Sequence, residues 1–199
     1  MKKTAAALTV ILLILQACSS TDVKRVNPNR QVDLSGYWND TDVRIVCNSL
    51  IKDCLSSPRV EQAIRTKRST PKVIVGRFRN ESSEHIDTAI ISSIMESEIF
   101  NSGKMDFVAG GSVRDDIRAE RQDQQSNASA ATMAALRNET GADYMLTGTV
   151  RSIVDREGNR TVRTYFVTAE LTDIETNMRM WIGQNNDIKK IVTQPKNRL

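Results

Sequence analysis

The chain has 199 residues, 26% of them charged and 5% aromatic, with a formal net charge of +4 at pH 7. That length suits one ordinary domain with a lead segment. Lys2 and Lys3 supply half of the excess charge, so beyond residue 17 only +2 remains, with both signs interleaved. A near-neutral body argues against nucleic acid as main ligand, and so few aromatics leave no platform for stacking bases or sugars.

The first segment joins Lys2 and Lys3 to an apolar stretch from Ala5 to Leu15, followed by Gln16, Ala17 and Cys18. A positive start, a short apolar run and a small residue before a cut describe a secretory signal over residues 1–17. The run is about half of the ~20 residues a membrane-spanning helix needs. Leu15-Gln16-Ala17-Cys18 resembles a bacterial lipobox, in which the cysteine thiol is diacylated after cleavage. Lipidation is therefore expected at Cys18, and several acyl chains anchor stably because each buried methylene contributes ~0.8 kcal/mol. Ser19 is unlike the Asp that resembles an inner-membrane retention signal. The expected location is the outer membrane, lipid-anchored on the periplasmic face.

Residues 18–34 read as anchor and tether, being polar, without apolar periodicity and containing Pro28. The sixteen residues from 19 to 34 span at most roughly 55 Å at ~3.4 Å each. A globular domain is expected over residues 35–192 and a loose tail over 193–199.

Asn39, Asp40 and Thr41 suit a helix cap and Asp42 a first turn. Val43, Val46, Cys47, Leu50, Ile51 and Cys54 follow at three- and four-residue spacing, predicting an amphipathic helix that ends near Pro58. Seven residues apart, Cys47 and Cys54 share one face but lie ~10 Å apart along a helix, too far for a disulfide, whose Cα atoms lie within ~7 Å. They read as buried apolar groups, the alternative being a disulfide across a broken helix or to another chain. Tyr37 and Trp38 are expected to pack on the body.

Lys72 to Phe78 predicts a strand and Asn80 to Glu84 a polar turn. Ile86, Ile90, Ile94 and Ile91, Met95, Ile99 form two neighbouring stripes of a second helix that stops at Asn101-Ser102-Gly103. Met105 to Ala109 reads as a short strand. Gly110-Gly111-Ser112 turns into a third helix with Val113, Ile117 and Ala119 as its apolar residues and Gln122 to Asn127 as a fraying end and loop. A fourth helix is predicted over about 128–139. The period then changes: Tyr144 to Val154 is a central strand, Asp155 to Arg160 a hairpin turn, and Thr161 to Leu171 a strand with Tyr165, Val167, Ala169 and Leu171 on one face. Asp173 to Asn177 turns again, and Met178 to Gly183 returns Trp181. The expectation is an α/β single domain, a mixed sheet of central strands and a C-terminal antiparallel meander flanked by about four helices.

No catalytic set emerges. The single histidine, His85, sits in a turn without a Gly-x-Ser-x-Gly elsewhere, and there is no Cys-x-x-Cys to support a zinc site. No enzyme activity, metal, cofactor or small-molecule substrate is expected. The sequence points to surface. Arg114, Arg118 and Arg121, at spacings of four and three, form a basic stripe beside Asp115, Asp116 and Glu120. They read as a docking edge for a polar or acidic partner, where arginine is favoured over lysine, and Arg137 and Arg151 extend it.

Five blocks carry a family resemblance: Asp33 to Asp42 (DLSGYWNDTD), Val73 to His85 (VIVGRFRNESSEH), Asn101 to Lys104, Gly141 to Gly148 (GADYMLTG), and Asp173 to Asn177 with Trp181. In this order, across about residues 33 to 190, they resemble LpoB-type lipoproteins, outer-membrane activators of penicillin-binding proteins. The resemblance implies a mixed sheet flanked by helices, similar to the amino-terminal domain of TolB. It implies a partner, the noncatalytic domain of a class A bifunctional penicillin-binding protein, and a role in stimulating glycan polymerisation and crosslinking. The best-known enteric activators carry a longer, proline-rich tether. The alternative is a structural or secretion-assembly lipoprotein related to the curli-channel family, which resembles the same domain. Such a channel needs extra membrane strands of ~10 residues, and only 144–154 and 161–171 would supply them.

Overall fold

The computed structural model describes residues 22–28, 30–128 and 139–195. The chain divides into two units, residues 1–31 and 32–199. The described part of the first has neither helix nor strand. Arg30 N–H donates to the Asn27 carbonyl at 2.9 Å, and Lys24 pairs with Asp22 at 3.0 Å in open solvent. The signal segment with Cys18, and all of the fourth predicted helix but its end residues, lie outside the described residues.

In the second unit, Asn39 starts helix α1 (Asp40–Ser56) with a capping box. Its Oδ1 accepts from Asp42 N–H at 3.2 Å, while Asp42 Oδ2 accepts from Asn39 N–H at 2.9 Å, satisfying two amides at the helix start. The apolar stripe from Val43 to Cys54 is buried, as its spacing predicts. Cys47 and Cys54 are free and buried. Burial pushes each thiol up to about 12.

Pro58 ends α1 and also opens a helix the sequence reading left unassigned. Helix α2 (Pro58–Thr66) has Ser57 as its N-cap and Pro58 in its first turn, where a missing N–H costs nothing. Strand β1 (Lys72–Asn80) follows, then helix α3 (Thr88–Asn101). Ile91, Met95 and Ile99 are its buried face. The neighbouring stripe departs from expectation: Ile86 is buried ahead of the helix, and Ile90 is half exposed. Strand β2 is only Asp106–Phe107, shorter than the predicted Met105–Ala109. Helix α4 (Gly111–Asn127) runs straight through Gln122 to Asn127, which the sequence reading assigned to a fraying end and loop. The side chains themselves extend it: Gln124 donates to Glu120 at 2.9 Å and Asn127 to Asp123 at 2.7 Å, both one helical turn apart.

Strands β3 (Tyr144–Glu157) and β4 (Arg160–Asp173) form a hairpin paired over its whole length. Its turn is confined to Gly158-Asn159, tighter than predicted, and Gly158 takes the positive φ of 56° such a turn needs. Strand β5 (Arg179–Asn185) returns Trp181, and strand β6 (Lys189–Thr193), which the sequence reading did not assign, closes the sheet. The order is β2-β1-β3-β4-β5, with β6 also on β4. β1 pairs in parallel with β2 and β3, and the remaining pairs are antiparallel. This is the expected mixed sheet. β4 carries β3 on one edge and β5 and β6 in tandem on the other. Its alternation places Tyr165, Val167, Ala169 and Leu171 in the core. Helices α1, α2 and α3 bury their apolar residues with these side chains in one cluster. With β3 and β4 both committed to this sheet, the strands that the channel alternative requires are already used.

Candidate docking surfaces and the family of the chain

The segment ahead of α1 is held by two cations and the three acids they pair with. Lys190 Nζ on β6 lies 2.6 Å from Asp42 and 2.8 Å from Asp33, and donates to the Tyr37 carbonyl at 3.0 Å. Arg163 on β4, the direct cross-strand partner of Lys190, lies 3.3 Å from Glu84, both side chains 8% exposed. Glu84 also accepts from Tyr165 OH at 2.8 Å and from Trp38 N–H at 3.3 Å. Like charges directly opposite repel, and here each cation has its own buried or half-buried carboxylate. Tyr37 stacks on the Arg163 guanidinium at 4.1 Å, and Trp38 packs edge-on to Tyr165 at 5.1 Å. The expected packing of Tyr37 and Trp38 on the body is thus observed. Asp42 goes beyond its expected helper role. Burial raises its carboxyl above the ordinary value, although Lys190 and the Asn39 amide act to lower it.

The predicted arginine stripe lies on α4, none of whose residues is buried. Arg118 makes a two-pronged contact with Glu139, Nε to Oε1 at 2.7 Å and Nη2 to Oε2 at 3.1 Å, and reaches Asp115 at 3.3 Å. Arg121 lies 4.0 Å from the same Glu139. The hydrogen bond from Arg118 holds the Glu139 carboxyl below the ordinary range. Arg114 Nε donates to the Ala109 carbonyl at 3.0 Å. Arg114, Ile117 and Arg121 line a cleft of about 350 Å³ with Lys72, Phe107 and Glu139. The stripe is therefore gathered round a carboxylate and bordered by acids of its own helix. Arg137 lies outside the described residues.

Arg151 does not extend that stripe. It stands on the outer face of the sheet, on β3, with Nη2 2.7 Å from Glu81. Arg77, Arg79 and Arg179 share its cleft with Thr147, Thr149 and Thr168. Sequence reasoning missed this group because its members come from four strands. The signal was present in each strand separately, since Thr147, Thr149 and Arg151 alternate with the buried Leu146 and Val150. His85 is exposed in the loop before α3. Gly110 caps α4 without a side-chain bond. Among the described residues, no group of three His, Cys, Asp or Glu is placed to hold a metal ion.

A family model described as peptidoglycan-synthase activator LpoB matches residues 42–186, from the first turn of α1 to the end of β5. The chain belongs to the LpoB family. Among solved structures, the LpoB C-terminal domain of Escherichia coli is similar at 15% identity, over 77% of this chain and 99% of that one, with a TM-score of 0.45. The Salmonella enterica LpoB C-terminal domain is similar at 15% identity over the same shares, with a TM-score of 0.43. Lipoprotein GNA1162 from Neisseria meningitidis is similar at 18% identity over 65% of this chain and 86% of that one, with a TM-score of 0.33. No curated protein sequence gives a match.

Proposed function

We propose that this LpoB-family domain binds the noncatalytic domain of a class A bifunctional penicillin-binding protein and stimulates peptidoglycan synthesis. It acts allosterically and does no chemistry itself. Lipid on Cys18 holds it to the periplasmic face of the outer membrane, and residues 18–34 tether the globular domain of residues 35–192. The observation that carries this reading is the family match, which spans 42–186 and so takes in nearly every element of the sheet. The arginines of α4, Arg114, Arg118 and Arg121, together with Arg137, are proposed as an edge contact with the synthase.

The test uses the full chain in detergent with the periplasmic part of the cell's own class A synthases, reading both affinity and glycan polymerisation. Binding with faster polymerisation is expected. No binding and no change in polymerisation would overturn the reading. Charge reversal at Arg114 and Arg118 is expected to weaken binding modestly, because rim charges act mainly on association. Unchanged affinity would remove α4 from the interface.

A further inference from the structure

We infer that the outer face of the sheet, centred on Arg77, Arg79, Arg151 and Arg179, is the main docking surface for an acidic protein partner. This inference rests on the proposed synthase binding and names the surface that performs it.

Three observations carry it. The first is charge. Four guanidinium groups border one shallow concavity of about 560 Å³, answered by two carboxylates. Glu81 takes Arg151 at 2.7 Å and Arg79 at 3.6 Å, and Glu170 takes Arg179 at 3.1 Å. The Arg77 side chain has no hydrogen bond or ion pair among the described residues. The face thus keeps an excess of two positive charges, whereas the arginines of α4 lie among Asp115, Asp116, Glu120 and Glu139. Arginine is also the cation whose planar fork matches a carboxylate in two bonds, so the excess suits acidic side chains.

The second is coverage. β1 pairs in parallel on both edges, and parallel strands are normally covered on both faces. The helices that join the core, α1, α2 and α3, bury their apolar residues with the other face. On the outer face of β1, Arg77 and Arg79 stand exposed.

The third is the rim. Met145, Ile153 and Ile182 are 38%, 61% and 53% exposed, and each lies at an outer-face register position. Arginine and methionine beside apolar side chains is the composition of a protein interface. Among the described residues that line the cleft none is aromatic, and Phe166, opposite Arg151 on the same face, is half-buried between its neighbours, whereas a glycan groove uses freely exposed rings for stacking. A protein surface fits better than a sugar chain.

The experiment compares the full wild-type chain, Arg77→Glu with Arg151→Glu, and Arg114→Glu with Arg118→Glu. Affinity for the synthase's periplasmic part is measured at about 50 and 250 mM salt, where surface charges are weakly and strongly screened. The milder Arg77→Gln with Arg151→Gln serves if the reversed protein is less stable by circular dichroism. Reversal on the sheet is expected to lower affinity roughly tenfold or more and to flatten the salt dependence. Reversal on α4 is expected to cost less, and the neutral pair is expected to lie between wild type and sheet reversal. Binding by the wild type that survives the sheet reversal overturns this surface alone. No binding by the wild type overturns the synthase reading and this surface with it. If sheet reversal instead abolishes retention on purified peptidoglycan sacculi and leaves synthase affinity unchanged, the face belongs to a glycan and the inference fails.

Discussion

Asp143 shows how one residue, through its backbone and its carboxylate, joins the ends of three strands. Its Oδ2 accepts from Lys72 N–H at 2.7 Å, its own N–H donates to the Lys72 carbonyl at 2.8 Å, and its carbonyl accepts from Ile174 N–H at 2.9 Å. Lys67 Nζ completes the site at 2.5 Å. Partial burial acts to raise this carboxyl, but Lys67 and the Lys72 amide together hold it below its ordinary value of 3.8. A carboxyl depressed in the folded state binds fewer protons there than in the unfolded chain. Its stabilisation is therefore full above pH 3.8 and is lost as pH falls through the depressed value. Asp143→Asn is expected to be less stable than wild type in urea at pH 7. The gap should narrow as pH falls below 3.8, and a gap of constant size would assign the loss to hydrogen-bond geometry instead of charge. Sequence alone placed Asp143 in a matching block without a role, since its partners Lys67 and Lys72 are 76 and 71 positions away. Asp42 was legible only in part. Its place in a first turn follows from the cap residues, whereas its contact with Lys190 spans 148 positions and leaves no local pattern.

At the scale of elements, what was legible depended on whether a segment buried a periodic face. α1, the buried stripe of α3 and the inward face of β4 carry clean repeats, and all three were read correctly. α2 and β6 were missed for different reasons. α2 does carry a helical apolar set, with Val60 buried and Ala63 and Ile64 packed on the core, but it is only nine residues long and opens on the Pro58 that reads as the end of α1. β6 buries no residue within its span, so it shows little apolar patterning and is held by ladder pairing to β4. The reverse error occurred at β2, where apolar residues from Met105 to Ala109 suggested five strand positions and only Asp106 and Phe107 pair. Gly148 marks the point where β1 and β3 are closest to overpacking. A Cβ there would stand 2.2 Å from Phe78 and 2.5 Å from the Thr168 carbonyl oxygen. The aromatic ring can turn, but the backbone of β4 cannot give way without disturbing the hairpin. Gly148→Ala is expected to destabilise the domain by about 1–3 kcal/mol, read as a lower urea midpoint. A wild-type midpoint would show that β4 shifts freely.

For the molecule as a whole, the family was the most legible property, because five blocks spread over the chain need no knowledge of contacts. The proposed docking surface was the least legible. A helical stripe such as Arg114, Arg118 and Arg121 can be counted along one segment, but a sheet face gathers residues from separate strands, so Arg151 was attached to the wrong group. The clasp formed by Lys190, Asp42, Arg163 and Glu84 belongs to this scale too, since it ties the segment before α1 to the last strands. Lys190→Met leaves the Asp42 carboxylate without its cation. Removing one partner of such a buried pair costs roughly 3 kcal/mol, a fall in Tm of about 6–12 °C in a domain of this size. An unchanged Tm would show that water replaces the ammonium. The clasp also sets where the domain bears load. Tension along the chain from its amino-terminal side meets Asp33 and Tyr37 before it reaches α1, and passes through Lys190 and Arg163 into β6 and β4. β4 is bonded along both edges, so the pull is shared across the sheet before it can peel a helix away. Under such a pull the domain would thus yield last at the strand that holds its core together.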